Sequence, residues 1–343
     1  MFKNKVIGGE FELSYELLKK NNSISFDGFF YSSGRAALYH IIEQIKASTG
    51  YNRIFIPDYL CGSILNILKL CGIETHTYLI KKDLTVDFEE LRKRYMPNSI
   101  LLLINYFGGL ELQPVISTVK NWDKDSLIIL DNVQAFFEMF KDCNADYMFT
   151  SFRKTLSVPD GAWVKTKTKG LVQFSDESSF SQYKAIGMIA KNMRMNYLLD
   201  DQIYLELLKK GEDAIDADLN KGISKLSLDK LANLDFNSVV KKRISNARFL
   251  EFELNKLGIQ SLLHFEEGRV PLFLPVLFPN KVRNKIRSEL AVNNIFCPIH
   301  WPIENQSFAR GKQMSAEELS LVIDQRYNEE DLARITKTIE KIF

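Results

Sequence analysis

Ser99–Asn132 reads SILLLINYFGGLELQPVISTVKNWDKDSLIILDN. Two apolar runs, ILLLI and LIIL, flank a segment with helical apolar spacing, LQPVISTVKNW. Neither run alternates apolar with polar residues. A strand that is apolar throughout suits a parallel sheet covered on both faces. Strand, helix and strand in immediate succession predict a parallel crossover unit.

The same alternation extends both ways. Upstream, ALYHIIEQIKAS (Ala37–Ser48) has helical spacing, and NRIFIPDYL is a short strand stopped by Pro57. GSILNILKLCG reads as a helix ending at Gly72, ETHTYLI as a strand and DFEELRKRY as a polar helix. Downstream, DYMFTSF reads as another strand. This pattern predicts a large, doubly wound, mostly parallel α/β domain. From about Gly170 to Asp218 the chain turns polar and helical, with SDESSFSQ as a loop. Long helices follow in LSLDKLANLDFNSVVKKRISNARFLEFELNKLG, then strand-like GRVPLFLPVLF and a closing helix, NEEDLARITKTIEKIF. The domain boundary is expected near Asn233–Lys241. That gives a large domain over 1–235 and a smaller C-terminal α+β domain over 236–343. No internal repeat or low-complexity tract is visible.

Bulk properties narrow the function classes. The chain has 343 residues, 45% hydrophobic and 26% charged, with a net charge of +2. A balance so close to neutral gives no reason to expect a nucleic-acid partner. Cys61, Cys71, Cys143 and Cys297 form no CxxC pair and no Cys/His cluster of zinc spacing, so no metal site is expected. Four scattered thiols suit a reducing compartment. The start MFKNKVIGGEFEL lacks the apolar core of a signal peptide, and no apolar run approaches a membrane span. A cytoplasmic protein without a membrane partner is expected.

Polar residues gather where strands end. Asp131 follows LIIL directly, Gln134 lies three residues on, and Lys154 follows DYMFTSF in SFRKTLSVPDGAW (Ser151–Trp163). Open α/β sheets bind ligands beyond the carboxyl ends of their strands. SSGRAAL (Ser32–Leu38) opens a helix with a glycine and small residues, and a helix N-terminus suits a phosphate. An amine, a carboxylate and a phosphate site are what pyridoxal phosphate needs. Its aldehyde takes an amine, its pyridine nitrogen needs a carboxylate, and its phosphate needs donors. The plainer readings are a helix cap for Asp131, a solvated Lys154, a surface Gln134 and an ordinary cap at SSGRAAL.

With these parts in place, the chain resembles the DegT/DnrJ/EryC1/StrS family of sugar aminotransferases, which are fold-type-I pyridoxal-phosphate enzymes. SGRAAL resembles that family's Ser-Gly-Thr-Ala-Ala-Leu phosphate segment, and ILDNVQAFF its Asp-x-x-Gln signature. FCPIHWP and AEELSLVIDQRYNEEDLARI are similar to its C-terminal Pro-x-His and Ser-Leu-Pro-type segments. The likeness covers most of 1–165 and 280–343.

The resemblance implies a role for each matching residue. Lys154 bonds the cofactor aldehyde, with Ser151 beside it; Asp131 holds the pyridine nitrogen and Gln134 the ring hydroxyl. Ser33, Gly34 and Arg35 hold the phosphate, with Arg35 standing where the family has threonine. The ring-stacking aromatic falls near Cys61, with Tyr59 two residues earlier, so either residue is a candidate to cover the ring. The spacing Ser151-Phe152-Arg153-Lys154 is shorter than the family's Ser-Phe-x-x-x-Lys. His300 and Arg326 fall on the substrate side. Their plainer readings are packing, and an ion pair with Asp324 or Glu329.

The implied function is amino transfer from an amino acid such as glutamate to a keto group on a nucleotide-linked sugar, for surface polysaccharide or a related glycan. Two rivals stand beside it: a sugar dehydratase, and a non-catalytic relative that uses the fold for binding. The family's dehydratases replace the lysine with histidine, and no histidine lies near Lys154. A homodimer is expected, with Asp218–Leu228 donated to the partner's site. Aromatic turns in INYFGG and PIHWP would be wet in a monomer.

Overall fold

A computed structural model describes residues 5–14, 25–195, 198, 200–217, 219–305 and 307–342. After a short arm, β1 (Ile7–Gly8), come β2 (Phe29–Tyr31), β3 (Arg53–Pro57), β4 (Glu74–Tyr78), β5 (Ile100–Ile104), β6 (Leu127–Asp131), β7 (Tyr147–Ser151) and β8 (Ala162–Thr166). Strands β2 to β8 form one sheet in the order β2-β8-β7-β6-β5-β3-β4. Every pairing among β3 to β7 is parallel, and β8 runs antiparallel to both its neighbours. Every residue of β5 and of β7 is buried, so both faces of the sheet are covered. The fold is α/β with a large, mostly parallel sheet.

Local chemistry sets the connecting helices α1 (Gly34–Thr49), α2 (Gly62–Leu70), α3 (Phe88–Arg94) and α4 (Gln113–Trp122). Ser33 caps α1 by accepting from Ala36 N, and Gly50 ends it at a positive φ of 73°. Between them Ile41, Ile42 and Ile45 are wholly buried. Each contributes roughly 1.5–3 kcal/mol relative to an exposed position.

A one-turn helix, α5 (Phe152–Thr155), leads from β7 toward β8. Then come α6 (Ser179–Met195), α7 (Asp201–Ala214), α8 (Lys225–Asn233) and α9 (Phe236–Lys256). The predicted loop SDESSFSQ is half helix, since α6 begins at Ser179. Ser179 and Gln182 face outward there, while Phe180 and Ser181 are buried.

The C-terminal part is built on β9 (Phe273–Leu277), paired antiparallel with β11 (Glu318–Val322). Around them stand α10 (Asn280–Val292), β10 (Ile295–Phe296), α11 (Ala309–Glu317) and α12 (Glu329–Glu340). α9 links two cores: Phe236 and Val239 pack with the large sheet, and Ala247, Leu250 and Leu254 with the small one. The arm crosses too, because β1 pairs with β10 and Ile7 lies in the second core.

One expectation needs correction. Tyr106 and Phe107 of INYFGG are buried within the chain, at 2% and 0% exposure, so a monomer does not leave them wet. Exposed apolar residues collect elsewhere, at Tyr183, Ile186 and Ile189 of α6 and Ile203 and Leu205 of α7. Asp218, the first residue of the proposed donor segment, lies outside the described residues. Among the described residues no helix is long and apolar enough to cross a membrane. All four cysteines are free thiols.

Gly161 ties the turn after Lys154 to the start of α1. Its N–H donates to Ser32 O at 2.7 Å and its carbonyl accepts from Phe152 N at 3.0 Å. Its φ is 105°, and a Cβ there would lie 2.4 Å from Ile223 Cδ1. Gly161→Ala should therefore lower stability by about 2–4 kcal/mol. Urea denaturation checks this; an unchanged midpoint would mean the turn relaxes freely.

Candidate active site

The carboxyl edge of the large sheet opens into a cavity of about 830 Å³. Asp131, the last residue of β6, lines it together with Val133 and Gln134. Asn132 N donates to Phe149 O at 2.8 Å and Thr150 Oγ1 donates to Asn132 O at 2.8 Å, which fixes the strand end. Asp131 is buried, and its Oδ1 accepts from Val133 N at 2.8 Å. No cation pairs with it among the described residues. Burial raises its pKa to about 7, against the lowering effect of the Val133 amide.

Gln134 accepts from Phe107 N through Oε1 at 3.1 Å, while its buried Nε2 has no partner. Phe107 adopts a positive φ of 55° in the turn Tyr106–Gly108, which aims its N–H at Gln134.

Lys154 sits in α5, one turn past β7, and lines the same cavity. The carbonyl of Thr155 closes this turn against the second core, accepting from Arg243 Nη2 at 3.1 Å and Gln325 Nε2 at 3.0 Å. Lys154 is exposed at the wall of this cavity. Among the described residues its Nζ takes no hydrogen bond and no ion pair. The charge of Arg153 first, and then desolvation, lower its pKa, partly offset by Glu212. Among the described residues it is an unpaired lysine.

The N-terminus of α1 forms a third side. Ser33 Oγ is occupied by Ala36 N at 3.1 Å. The amides of Gly34 and Arg35 have no acceptor among the described residues and line the cavity with Ser151. The Arg35 guanidinium is held by Glu212 at 2.8 Å and by Asp216 at 3.0 Å. Glu212, on α7, also pairs with Arg153 at 3.2 Å and Lys184 at 3.2 Å. Burial alone would raise the Glu212 pKa, but Arg153, Lys184, Lys154 and Arg35 outweigh it and hold it at about 2.

The second core supplies the remaining wall. His300 and Trp301 line the cavity, and His300 packs against Phe273 at 4.9 Å and Phe107 at 5.6 Å between ring centroids. Burial and the nearby Lys154 charge push the His300 pKa down to about 3, so the ring is neutral. Arg326 reaches the cavity wall while paired with Asp324 at 2.8 Å and Glu12 at 3.1 Å; Glu329 is not its partner.

Ten of the eleven residues singled out from sequence meet here: Ser33, Gly34, Arg35, Cys61, Asp131, Gln134, Ser151, Lys154, His300 and Arg326. Tyr59 does not. It is wholly buried, its ring packs on Tyr106 and Trp301, and it does not line the cavity, so it cannot cover a bound ring. Cys61, which ends the loop before α2, lines the cavity.

Sequence reasoning missed Arg153, Glu212 and Arg243. Arg243 had a legible signal, a cation on the buried stripe of α9 between Val239 and Ala247. Glu212 had none, since its partners come from three distant segments.

No protein-family model matches the chain, and no curated protein matches it in sequence. Solved structures match in fold. Spr1654 of Streptococcus pneumoniae, a proposed sugar aminotransferase in its PMP form, has 14% identity and a TM-score of 0.66, over 92% of this chain and 85% of that one. A DegT/DnrJ/EryC1/StrS aminotransferase from Brucella abortus has 16% identity and a TM-score of 0.62, over 91% and 85%. DesV of S. venezuelae, in complex with a ketimine intermediate, has 16% identity and a TM-score of 0.63, over 91% and 84%. The chain has the fold of these aminotransferases.

The uncompensated Asp131 carboxyl makes stability depend on pH. A carboxyl whose pKa is raised on folding keeps its proton after the unfolded chain has lost its own. Stability therefore falls as pH climbs from about 4 to about 7. Asp131→Asn keeps an acceptor for Val133 N and removes the charge. Without added ligand it should be more stable than the wild type by roughly 3–4 kcal/mol at about pH 8, with the gain fading below about pH 5. Urea denaturation at both pH values checks this; a gain independent of pH would exclude titration of Asp131 as the cause.

Proposed function

We propose that this chain is a pyridoxal-phosphate-dependent aminotransferase that moves an amino group from an amino acid, glutamate being the expected donor, to a keto group on a nucleotide-linked sugar. One observation carries the reading. A buried carboxyl without a cation and a lysine without an acceptor face one cavity, beside the open N-terminus of α1. The cavity is anionic at one side and cationic at the other. That suits a ligand with a cationic ring and an anionic tail.

The residues fit that cofactor. Asp131 would hold a proton on the ring nitrogen, and the orphan Nε2 of Gln134 would donate to the ring hydroxyl. The amides of Gly34 and Arg35, with the Ser151 hydroxyl, would hold the phosphate. Bound there, pyridoxal phosphate supplies an aldehyde carbon that bonds amines and a pyridinium ring that accepts electrons. Lys154 Nζ would bond that carbon. Released by the incoming donor amine, it would take the proton from the donor α-carbon and return it one carbon away. Its lowered pKa favours the free amine that this transfer needs. Phe149, Ile104 and Trp301 give the cavity an apolar stretch of wall that would limit water beside the reacting carbons.

The sugar substrate rests on the family resemblance and on the named neighbours; the nucleotide, the role in surface glycan synthesis and the glutamate donor rest on the resemblance alone. A two-fold homodimer is part of the proposal, supported by the fold and by the exposed apolar residues of α6 and α7.

Adding pyridoxal phosphate should give a visible absorbance band, and borohydride reduction should leave the cofactor on Lys154. A tag on Lys141, Lys165 or Lys167 would sink the assignment. Asp131→Asn should still bind the cofactor while turnover drops about 10²-fold or more. Near wild-type turnover would leave Asp131 with a structural role alone. Keto-sugar nucleotides incubated with glutamate and read by mass spectrometry test the substrate class.

A further inference from the structure

Behind His300 the small sheet carries two polar side chains in a wholly buried row. Glu318 and Ser320, both on β11, have no exposed surface. Ser320 Oγ lies 2.7 Å from His300 Nδ1 and bonds Glu318 Oε1. The other carboxyl oxygen, Oε2, accepts from His300 N at 2.8 Å. Glu318 forms no ion pair among the described residues. His300 Nε2, on the far edge of the ring, has no hydrogen-bond partner among them, and the residue lines the cavity.

Only two proton arrangements satisfy this row. With Glu318 ionised, the Ser320 hydroxyl donates to the carboxylate and accepts from Nδ1–H, leaving a lone pair on Nε2. With Glu318 protonated, its hydroxyl donates to Ser320 Oγ and the Ser320 hydroxyl donates to Nδ1, so the ring proton sits on Nε2. We propose that Glu318, acting through Ser320, sets whether His300 offers the cavity a hydrogen-bond acceptor or a donor. Glu318 and Ser320 are thus positioning residues for His300.

One proton accounts for the change. Nε2 takes it from a donor in the cavity, the Nδ1 proton passes to Ser320 Oγ, and the Ser320 proton passes to Glu318 Oε1. Three N–H or O–H bonds form and three break, and no imidazolium arises. The surroundings favour this path. Lys154 and burial disfavour an imidazolium, while burial raises Glu318 to about 8 against the lowering effects of Ser320, the His300 amide and Arg283. Phe107, Phe273 and Trp301 pack on the His300 ring and bring no charge. The consequence for amino transfer rests on the function proposed above: the acceptor form can relieve a substrate amine of its proton, and the donor form can hold a keto oxygen. The tautomer itself does not depend on that reading.

The test is nitrogen NMR of the full chain labelled with ¹⁵N-histidine. The chain has four histidines, so His300→Gln identifies the signal. The wild type should pass from the Nε2–H to the Nδ1–H tautomer with a midpoint near the Glu318 pKa of about 8. Glu318→Gln and Ser320→Ala should each abolish the transition, and Ser320→Thr, which keeps the hydroxyl, should retain it. A single tautomer across about two pH units either side of the midpoint, or a transition that survives Glu318→Gln, would overturn the proposal. Circular dichroism and Ser320→Thr separate loss of the relay from loss of the fold. A pyridoxal-phosphate absorbance titration on the same samples reads the proposed function separately. A tautomer transition without a cofactor band would keep the relay and remove the aminotransferase.

Discussion

Asp131 is a carboxyl at the end of a buried strand with no positive charge among the described residues to meet it. Such a group has two ways to persist: it keeps its proton or it receives a cation from outside. The chain holds it firmly either way. The Val133 amide fixes one oxygen, and the Asn132 and Thr150 bonds fix the turn beneath it. The rest of the site is arranged around that unresolved charge. The parallel strands end on one edge because crossovers return each strand in the same sense. The single antiparallel strand, β8, brings the chain back through Gly161, so the Lys154 turn and the start of α1 are pinned to each other.

Opposite Asp131 the charges are reversed and already partnered. Arg35, Arg153 and Lys184 pair with Glu212, which stays ionised because these three cations and Lys154 surround it. Pairs of this kind gain little when exposed, and more where solvent is partly excluded. Their geometric effect is plainer. α7 supplies the carboxylate, α1 and α5 supply arginines, and the arginines are thereby held beside the free amides of Gly34 and Arg35. The Asp131 side has no comparable partner. The protein has satisfied its cationic wall internally and left its anionic wall open.

Much of this was legible in the residues, for identifiable reasons. The apolar runs at 100–104 and 127–131 predict central strands because both their faces are buried, and they are β5 and β6. Asp131, Gln134 and Lys154 were readable because a strand-end position alone puts them at the sheet edge. β8 was not among the predicted strands, because AWVKT is partly polar at its outer end. Tyr59 stayed open between packing and covering a ring, because sequence gives its distance from Pro57 but not the direction of its side chain. That side chain turns inward to Tyr106 and Trp301. Glu212 could not be read at all. Its meaning lies in three long-range ion pairs, and its own neighbours are unremarkable helix residues.

The two walls can be weighed against each other if an anion enters at the α1 N-terminus. Glu212 and Asp216 then compete with it for Arg35. Release of Arg35 would not strand Glu212, because Arg153 and Lys184 remain within 3.2 Å of it. Asp216 is exposed, and water can replace its lost partner at little cost. The arginine can therefore turn to an incoming phosphate without leaving a buried charge alone, the arrangement that is most destabilising in a low-dielectric site. Asp131 has no such substitute. A cation at its side would lower its pKa and favour the ionised form through the pH range where burial now disfavours it. Of the two ends, the carboxyl end stands to gain more from a ligand. The cationic end, with its charge already shared, would serve chiefly to orient a ligand whose cationic part meets Asp131.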